Sequence, residues 1–378
     1  MPGPLEGVRV LDLSQVISGP MAATWLADQG ADVIKVEDAG MGDFARYLGP
    51  RKADISAMFL TANRGKRSIT LNLKAVEDQQ VLWKLIERAD VLIQNFRPGA
   101  IERLGFGPES VRARNPRLIY CSISGYGPTG PYAGARVYDP IIQASSGFAV
   151  TQADPANGEP QLIRTLVCDK LTALTAAQAI TAALFARERS GEGQLVEVAM
   201  LDAAIAFLWP EGMYNHTFLE DPPAPSPDFG AFYRLWKSKD GYFAVAGVQD
   251  AEFKALARGL GRPDLAEDER FSTLQGRMVN GAQFMQEMGA AIASRTNAEL
   301  MPRLLAEDAP AAKVNSREDL KSDPQVIENG TIVETDHADL GRIQGPRHPA
   351  RFHGTPVIPP GLAPHLGQHT AAIKGELA

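Results

Sequence analysis

The sequence has few of the residues that would mark a disulfide scaffold or a metal protein. Its 378 residues include two cysteines, Cys121 and Cys168, which lie in apolar runs without the paired spacing of a metal motif. We expect buried free thiols and no metal site. The few histidines of the C-terminal segment also lack a tight ligand spacing, and we predict that His348, His353, His365 and His369 lie at a surface or interface.

Long apolar runs are also missing. No stretch reaches the ~20 uninterrupted apolar residues of a membrane span, and the N-terminal residues lack the basic-then-apolar pattern of a secretion signal. The net charge of −7 argues against broad nucleic-acid binding but permits local basic pockets for an anionic cofactor. We expect a cytoplasmic protein with neither a nucleic-acid nor a membrane partner.

Alternating strand and helix patterns fill the first 200 residues. Gly7–Ser14 is a predicted strand, Met21–Gln29 a helix and 31–37 a second strand, and such a unit implies parallel strands with a right-handed crossover. Later strands are predicted at 68–73, 90–94, 118–124 and 195–200. The turn at Ser18–Pro20 lacks the G-x-G-x-x-G pattern, which weakens a nicotinamide dehydrogenase as the function without excluding it.

A longer helix is predicted from Leu171 to Arg187, ended by Gly191 and followed by the last strand. Asp169 precedes this helix at the position of an N-cap residue. An acid at that position most often only caps the helix. The same position would keep a carboxylate ionised at the positive end of the helix, as a nucleophilic aspartate requires. The residues alone leave both interpretations open.

Basic residues follow several predicted strands or precede them in loops. One cluster, 63–67, includes Lys66, and the loop after the strand at 90–94 carries Arg97, with Arg103 in a short helix beyond it. A glycine- and proline-rich loop, 125–140, carries Arg136. Ligands of open α/β sheets bind at the carboxyl ends of the strands, where these loops lie. A charge run by itself is more often a solvated face.

Taken in order, these motifs resemble those of the family III CoA transferases. The matching stretches are GVRVLDLSQVISGP, LADQGADVIKVE, NRGKRSITLNLK, NFRPGAIERLGF, SISGYGPTGPYA, RVYD, SGEGQLVEVAMLDA and APHLGQHT. The family includes formyl-CoA, carnitine-CoA and bile-acid-CoA transferases, and 2-methylacyl-CoA racemases are its relatives. The resemblance is weakest from about 210 to 330.

The resemblance implies an α/β fold with a Rossmann-like large domain and a smaller α+β domain, in two chains threaded through one another as an interlocked homodimer. The large domain would comprise 1–200 and be completed by the tail, 330–378. Residues 201–224 would be a linker and 225–329 the small domain. A proline-rich stretch, Asp221–Gly230, leads into the small domain.

The resemblance also implies the chemistry. Asp169 would be the nucleophile of a CoA transferase that moves CoA from an acyl-CoA to a carboxylic acid through an aspartyl-CoA thioester. CoA and acyl-CoA would be substrates, with no tightly bound cofactor. The positions that match the family's CoA-binding motifs are Lys66, Leu71, Asn95, Phe96, Arg97, Arg103, Arg136, Tyr138 and Met200.

Departures from related motifs leave alternatives. The racemases carry a histidine where this sequence has Tyr138, and a phenol titrates too high to be a good base near neutral pH, which favours transfer over racemisation. Asp38 replaces an arginine of formyl-CoA transferase, and the glycine-run lid is absent apart from Gly247, which disfavours formate and oxalate. A non-catalytic acyl-CoA-binding protein, with Asp169 only a cap, is a further alternative. The role of Lys170 stays open between solvent and an acceptor carboxylate.

Overall fold

The computed structural model describes residues 3–154, 156–227, 230, 233–356 and 361–378. Their contacts separate the chain into two compact units. The large unit comprises Met1–Ser226 and Asn329–Ala378, and the small unit comprises Pro227–Glu328. The C-terminal segment therefore belongs to the same unit as the N-terminal half of the chain.

A six-stranded parallel sheet lies at the centre of the large unit, in the order β5-β2-β1-β6-β7-β8. Its strands are β1 (Arg9–Asp12), β2 (Asp32–Glu37), β5 (Lys66–Thr70), β6 (Val91–Gln94), β7 (Ile119–Ser124) and β8 (Leu195–Ala199), and a short antiparallel pair, β3 (Arg51–Lys52) and β4 (Ile55–Ser56), precedes β5. The apolar residues of β1 and β6 are buried on both faces, as parallel sheets require. The predicted α/β class is confirmed.

Helices cover both faces of the sheet. They are α1 (Ser18–Asp28), α2 (Ala57–Ala62), α3 (Val76–Glu87), α4 (Ala100–Arg103), α5 (Pro108–Arg114), α6 (Asp139–Ser145), α7 (Phe148–Thr151), α8 (Val167–Ser190) and α9 (Met200–Gly212). One core lies between the sheet and α1 with α8, where small side chains such as Ala22, Ala173 and Ala176 allow the helices to approach closely. The other core lies under α3 to α5 and includes Leu82 and Ile86.

The segment 201–224 was predicted to be a linker, and the structure shows that its first half is not one. Helix α9 ends only at Gly212, and its Ala204 and Leu208 are buried against Ile142 and Phe148. The apolar pattern of MLDAAIAFL continues the strand into a helix without a break. Residues 201–212 are therefore a helix of the large unit that packs on its core through Ala204 and Leu208.

The returning C-terminal segment covers the edge of the sheet. It forms a hairpin, β12 (Ile332–His337) with β13 (Gly341–Pro346), and ends in α16 (Thr370–Glu376). The His369 amide donates to the Ser68 carbonyl (2.9 Å), and the Ser68 amide donates to His369 Nδ1 (3.1 Å). Edge strand β5 is thereby protected from pairing with another chain. His369 is half-buried in these contacts. His348 is buried beside Gln29, so the expectation of a surface or interface residue was wrong for His348 within this unit.

The small unit has its own core and an antiparallel sheet in the order β11-β10-β9. Its strands are β9 (Trp236–Lys237), β10 (Tyr242–Val245) and β11 (Ala311–Lys313). Its helices are α10 (Asp250–Gly259), α11 (Pro263–Glu267), α12 (Leu274–Val279), α13 (Gly281–Ala293), α14 (Asn297–Ala306) and α15 (Pro324–Glu328). Across the described ranges of both units, no helix has the length and apolarity needed to cross a membrane.

The His365 imidazole links the end of the C-terminal segment to two loops of the large unit. His365 Nδ1 contacts Asp54 Oδ1, and its Nε2 lies 3.0 Å from Asp339 Oδ2. Asp54 Oδ2 also accepts from Arg46 Nη1 (3.1 Å), and the His337 ring packs edge-on against the His365 ring. A ring with a carboxylate at each nitrogen donates to both only when it is protonated. The hydrogen bond to Asp54 is the main reason that the pKa of His365 is raised.

We therefore predict a stability component that weakens in alkali. Because the folded pKa of His365 is raised, its contribution is complete below the ordinary pKa, near 6.5, and is lost as pH rises through the folded value. His365→Gln should lower the free energy of unfolding by about 1 kcal/mol at pH 6 and by less at pH 9. Urea unfolding at both pH values measures this, with exposed His353→Gln as the control. Equal losses at the two pH values would contradict the prediction.

Candidate active site

The first turn of α8 places Asp169 at the carboxyl edge of the parallel sheet. The helix begins at Val167, four residues earlier than the predicted start at Leu171, so Asp169 lies inside the first turn rather than at the N-cap position. The N-cap residue is Leu166, which has no side chain that could cap. The capping interpretation of Asp169 was therefore wrong, and its carboxylate is available to interact with a ligand.

A second carboxylate satisfies the exposed amide of that turn. The Asp169 backbone N–H donates to Asp139 Oδ2 at 2.9 Å. Asp139, the first residue of α6, is buried, and its Oδ1 accepts from Gln143 Nε2 at 2.6 Å. Gln143 also donates to the carbonyls of Ile163 and Thr165 and accepts from the Ile163 amide. Asp139 therefore fixes both the start of α8 and the loop that leads into it.

Burial and charge raise the pKa of Asp169 to about 7. Desolvation is the larger cause, the negative charge of Asp139 adds to it, and the positive charge of Lys170 opposes it. A shift of about three pH units is worth roughly 4 kcal/mol, more than the ~2 kcal/mol that a helix terminus can supply at most. Burial and the charge of Asp139 therefore act against the helix terminus, and an ionised Asp169 carboxylate in the site stays a prediction.

The turn after β1 lies at the same edge and is tightly held. Asn95 binds the main chain of Gln15 from both sides: Oδ1 accepts from the Gln15 amide, and Nδ2 donates to the Gln15 carbonyl, each at 2.8 Å. Val16 has a left-handed backbone, with φ of 69°, and its amide donates to Asp43 Oδ1. At Gly19 a Cβ would lie 2.2 Å from the Ser14 side chain. Glycine is needed here for close packing, although the dinucleotide pattern is absent.

Three predicted arginines are exposed and available to an anion. Arg97, Arg103 and Arg136 are all exposed, and within the described part of the chain no carboxylate lies within salt-bridge distance of any of them. The Arg103 guanidinium folds back to within 3.1 Å of a Cβ position built on Gly99. Arg97 and Arg103 therefore flank one loop after β6. Unpaired guanidinium groups suit phosphate oxygens, which they bind in a bidentate manner.

Lys66 is not available to a ligand. Its ammonium is fully buried and donates to Asp12 Oδ2 (2.8 Å), the Pro20 carbonyl (2.8 Å) and Asn63 Oδ1 (2.7 Å). Desolvation lowers its pKa to about 8. The assignment of Lys66 to CoA binding was therefore wrong, since this side chain neutralises a buried aspartate. Asp12, an acid within the apolar run VLDL, was the signal that a buried cation had to exist nearby.

The remaining predicted residues divide between core and edge. Leu71 is 1% exposed under α3, and Met200 packs with Cys168 and Leu171, so both are core residues here, which corrects their assignment to a CoA channel. Phe96 is half-buried against the core beside Asn95. Tyr138 is 66% exposed and is the N-cap residue of α6, directly before Asp139.

Comparison with known proteins identifies the family. Residues 5–370 match the family model of CoA-transferase family III. The chain belongs to this family. A succinate–glutarate CoA-transferase of Agrobacterium fabrum is 37% identical over 99% of this chain and 96% of its own length. A probable fatty acyl-CoA transferase of Mycobacterium tuberculosis is 34% identical over 98% and 97%.

A solved structure gives the same result for the fold. A CAIB/BAIF family protein from Brucella suis superposes with a TM-score of 0.87 at 35% identity, over 100% of both chains. This CoA-transferase family III member is therefore an acyl-CoA:carboxylate CoA-transferase, and its single chain has the α/β fold of that CAIB/BAIF family protein. Among the described residues, His, Cys, Asp and Glu side chains form no group of three that could hold a metal ion.

The Asp139 carboxylate generates a prediction about pH dependence. Asp139→Asn removes the negative charge but keeps one acceptor, so the pKa of Asp169 should fall from about 7 and the acid limb of the transfer rate should move to lower pH by about one unit. Asp139→Ala should also lose the bond to the Asp169 amide and reduce the rate by about 100-fold. Rate measurements from pH 5 to 9 test both variants. An acid limb that stays in place in Asp139→Asn would contradict the charge effect.

Substitutions of Lys66 and Arg103 should have different effects, one on the stability of the fold and the other on the affinity for CoA. Lys66→Met leaves Asp12 buried beside Lys35 alone and should lower the free energy of unfolding by about 3 kcal/mol, without weakening CoA binding to the folded protein. Arg103→Gln should do the opposite, raising the Kd for CoA about tenfold with unchanged unfolding. Urea unfolding and calorimetric titration with CoA measure the two effects. Weaker CoA binding in folded Lys66→Met would restore the original assignment.

Proposed function

We propose that Asp169 is the nucleophile through which this enzyme exchanges CoA between two carboxylic acids. The observation that supports the proposal is the hydrogen bond at the start of α8. Asp139 accepts it from the Asp169 amide, so the Asp169 carboxylate is not needed as a cap and is free to react. A carboxylate in the first turn of a helix, at the carboxyl edge of a parallel sheet, lies where ligands of such sheets bind. Family membership supplies the substrate, a CoA thioester.

The first half-reaction consumes the donor. An oxygen of the Asp169 carboxylate attacks the acyl carbon of the donor, the C–S bond breaks, and CoA leaves as a thiolate from the mixed anhydride. The thiolate then attacks the aspartyl carbonyl carbon, and the bond between that carbon and the bridging anhydride oxygen breaks, so the oxygen leaves with the donor acyl group. The donor acid departs as a carboxylate, and Asp169 holds CoA as a thioester.

The second half-reaction reverses these steps with the acceptor. A carboxylate oxygen of the acceptor attacks the aspartyl carbonyl, and CoA thiolate leaves. The thiolate attacks the acceptor's acyl carbon, giving the new acyl-CoA and free Asp169. One negative charge passes between oxygen and sulfur in each step, so the cycle consumes no proton. In the first turn of α8 the amides of Val167, Asp169 and Lys170 already have acceptors, so within the described residues the Cys168 amide is the one that suits a developing oxyanion.

The raised pKa of Asp169 supports covalent chemistry. Desolvation and the charge of Asp139 disfavour the ionised side chain, and they place no such penalty on an anhydride or a thioester, which are neutral. The environment that destabilises the carboxylate therefore favours its acylation. A water-excluding site also protects both intermediates from hydrolysis.

CoA binding is assigned to the exposed basic residues. Arg97, Arg103 and Arg136 would bind the 3′-phosphate and pyrophosphate, with Asn95 and Phe96 at the base of the same loop. We also propose that two chains form the interlocked homodimer that the resemblance implies. Its support is the row of exposed large apolar side chains on α8 and α9: Leu174, Phe185, Phe207 and Trp209.

The alternatives have less support. A racemase needs a second acid/base group of suitable pKa, and the charged groups that act on Asp169 in the described chain are Asp139 and Lys170 rather than a histidine. A purely binding role gives no reason for a desolvated, unpaired carboxylate in the first turn of α8. The A. fabrum relative is named for succinate and glutarate and the M. tuberculosis relative for fatty acyl groups. CoA transfer is what these names share.

Intact mass spectrometry after mixing with a panel of acyl-CoAs tests the proposal. We expect a mass gain equal to covalent CoA, removed by hydroxylamine and absent in Asp169→Asn. Asp202→Asn is the matched control, because Asp202 is the exposed first-turn acid of α9, and it should keep the adduct. An adduct that persists in Asp169→Asn would move the nucleophile elsewhere. Deuterium exchange at the acyl α-carbon without an adduct would indicate a racemase.

A further inference from the structure

A tethered lysine lies beside the proposed nucleophile. Lys170 follows Asp169 in the first turn of α8, and its Nζ donates to Thr165 Oγ1 at 2.8 Å. Thr165 lies in the loop before the helix, and its carbonyl accepts from Gln143. The ammonium is therefore held by the same loop that Asp139 and Gln143 fix in place. A hydroxyl anchor directs the side chain without an ion pair, and the positive charge acts on the neighbouring Asp169.

No carboxylate neutralises this charge. In the residues that the structure describes, no acid lies within 4.0 Å of Lys170 Nζ, and Thr165 occupies only one of its three N–H groups. The side chain is half-buried. Restricting a lysine costs side-chain entropy, up to ~2 kcal/mol, and an ion pair within the chain does not offset that cost here. A held, partly desolvated cation with two free donors is a binding group for an anion.

The charges of the reaction identify which anion. An acceptor acid arrives as a carboxylate, and that group loses its charge when it enters the anhydride. A second carboxylate on the same substrate stays ionised throughout, in a site that already contains Asp139 and Asp169. Such a substrate needs a cation near the nucleophile but separate from Arg97, Arg103 and Arg136, which are assigned to CoA. Lys170 follows Asp169 in the same helical turn, its charge acts on that carboxylate, and it is none of the three arginines assigned to CoA.

We propose that Lys170, oriented by Thr165, binds the second carboxylate of a dicarboxylic acid and makes this enzyme selective for dicarboxylates. The inference rests on the proposed function, since it assigns the acid substrate of the Asp169 site. The ammonium binds the distal carboxylate while the proximal carboxylate attacks the aspartyl thioester. The same contact holds a dicarboxylate monothioester when it is the donor. Selectivity then resides in the first turn of α8 itself.

Pairs of acids of equal length test the proposal. With the acyl-CoA that gives the strongest covalent adduct as donor, kcat/KM is measured for succinate against butyrate and for glutarate against pentanoate. The wild-type enzyme should favour the dicarboxylate by about tenfold or more. Lys170→Met should lower this ratio by about tenfold, chiefly through the KM of the dicarboxylate, and Lys170→Arg should restore most of it.

Two further variants separate the anchor from the charge. Thr165→Val keeps the ammonium but frees it, and should lower the ratio by about threefold. Lys321→Met removes an exposed lysine of the small unit and should leave the ratio unchanged. A wild-type enzyme that uses both members of each pair equally would overturn the proposal. So would a Lys170→Met variant that loses equal activity toward both.

Measuring the covalent adduct distinguishes a failure of the Lys170 proposal from a failure of the proposed function. If the CoA adduct forms on Asp169 and the acid ratio is insensitive to Lys170, the nucleophile stands and the dicarboxylate subsite is rejected. If no acyl-CoA of the panel gives an adduct and no acid accepts CoA, the proposed function itself fails. The two failures therefore have different readouts, one in mass and one in the ratio of kcat/KM values.

Discussion

The hydrogen bond from the Asp169 amide to Asp139 Oδ2 determines most of what the site can do. It satisfies one of the four amides that a helix start leaves unpaired, so the first turn of α8 needs no cap of its own and the Asp169 carboxylate stays free. It also brings a second negative charge close to the first, which is one reason that the pKa of Asp169 is raised. One contact therefore positions the nucleophile and sets its electrostatics. Gln143 extends that order to the preceding loop.

The parallel sheet places this contact where ligands can reach it. Because α1 and α8 both begin at the carboxyl edge, the turn at Gln15, the loop at Asn95 and the start of α8 belong to the same end of the molecule. Asp12, at the end of β1, is neutralised below that edge by Lys35 and Lys66. A buried ion cluster of this kind holds β1, β2 and β5 together but presents nothing to a ligand. The exposed cations Arg97, Arg103 and Arg136 lie instead on segments that follow β6 and β7.

The sequence predicted the architecture well because its strands are short apolar runs separated by amphipathic helices, a pattern that leaves few topologies. It predicted individual side chains less well. A basic residue in a motif gives no information on which side of its strand it faces, and Lys66 begins β5 facing inward, toward Asp12. Leu71 and Met200 failed for the same reason, since an apolar residue can line a channel or fill a core. Asp169 was placed outside its helix because Val167 and Cys168 were given to the preceding run rather than to the first turn. Asp139 was missed because its role depends on a contact 30 residues along the chain.

Asp139 and Lys170 place opposite charges beside Asp169, and the two charges have different effects on the reaction. Asp139 disfavours the free carboxylate and thereby favours its neutral acyl forms, but a site with only this charge would also repel every anionic acid that has to enter it. Lys170 lowers the pKa of Asp169, the opposite effect, and its tether to Thr165 keeps the positive charge at the site instead of in solvent. An acid whose second carboxylate meets that charge gains a contact that persists while its first carboxylate is converted to an acyl group. A monocarboxylate has no second carboxylate that could contact Lys170. Discrimination between dicarboxylic and monocarboxylic acids therefore follows from the carboxylate that stays ionised throughout the reaction, because the reacting carboxylate is common to both.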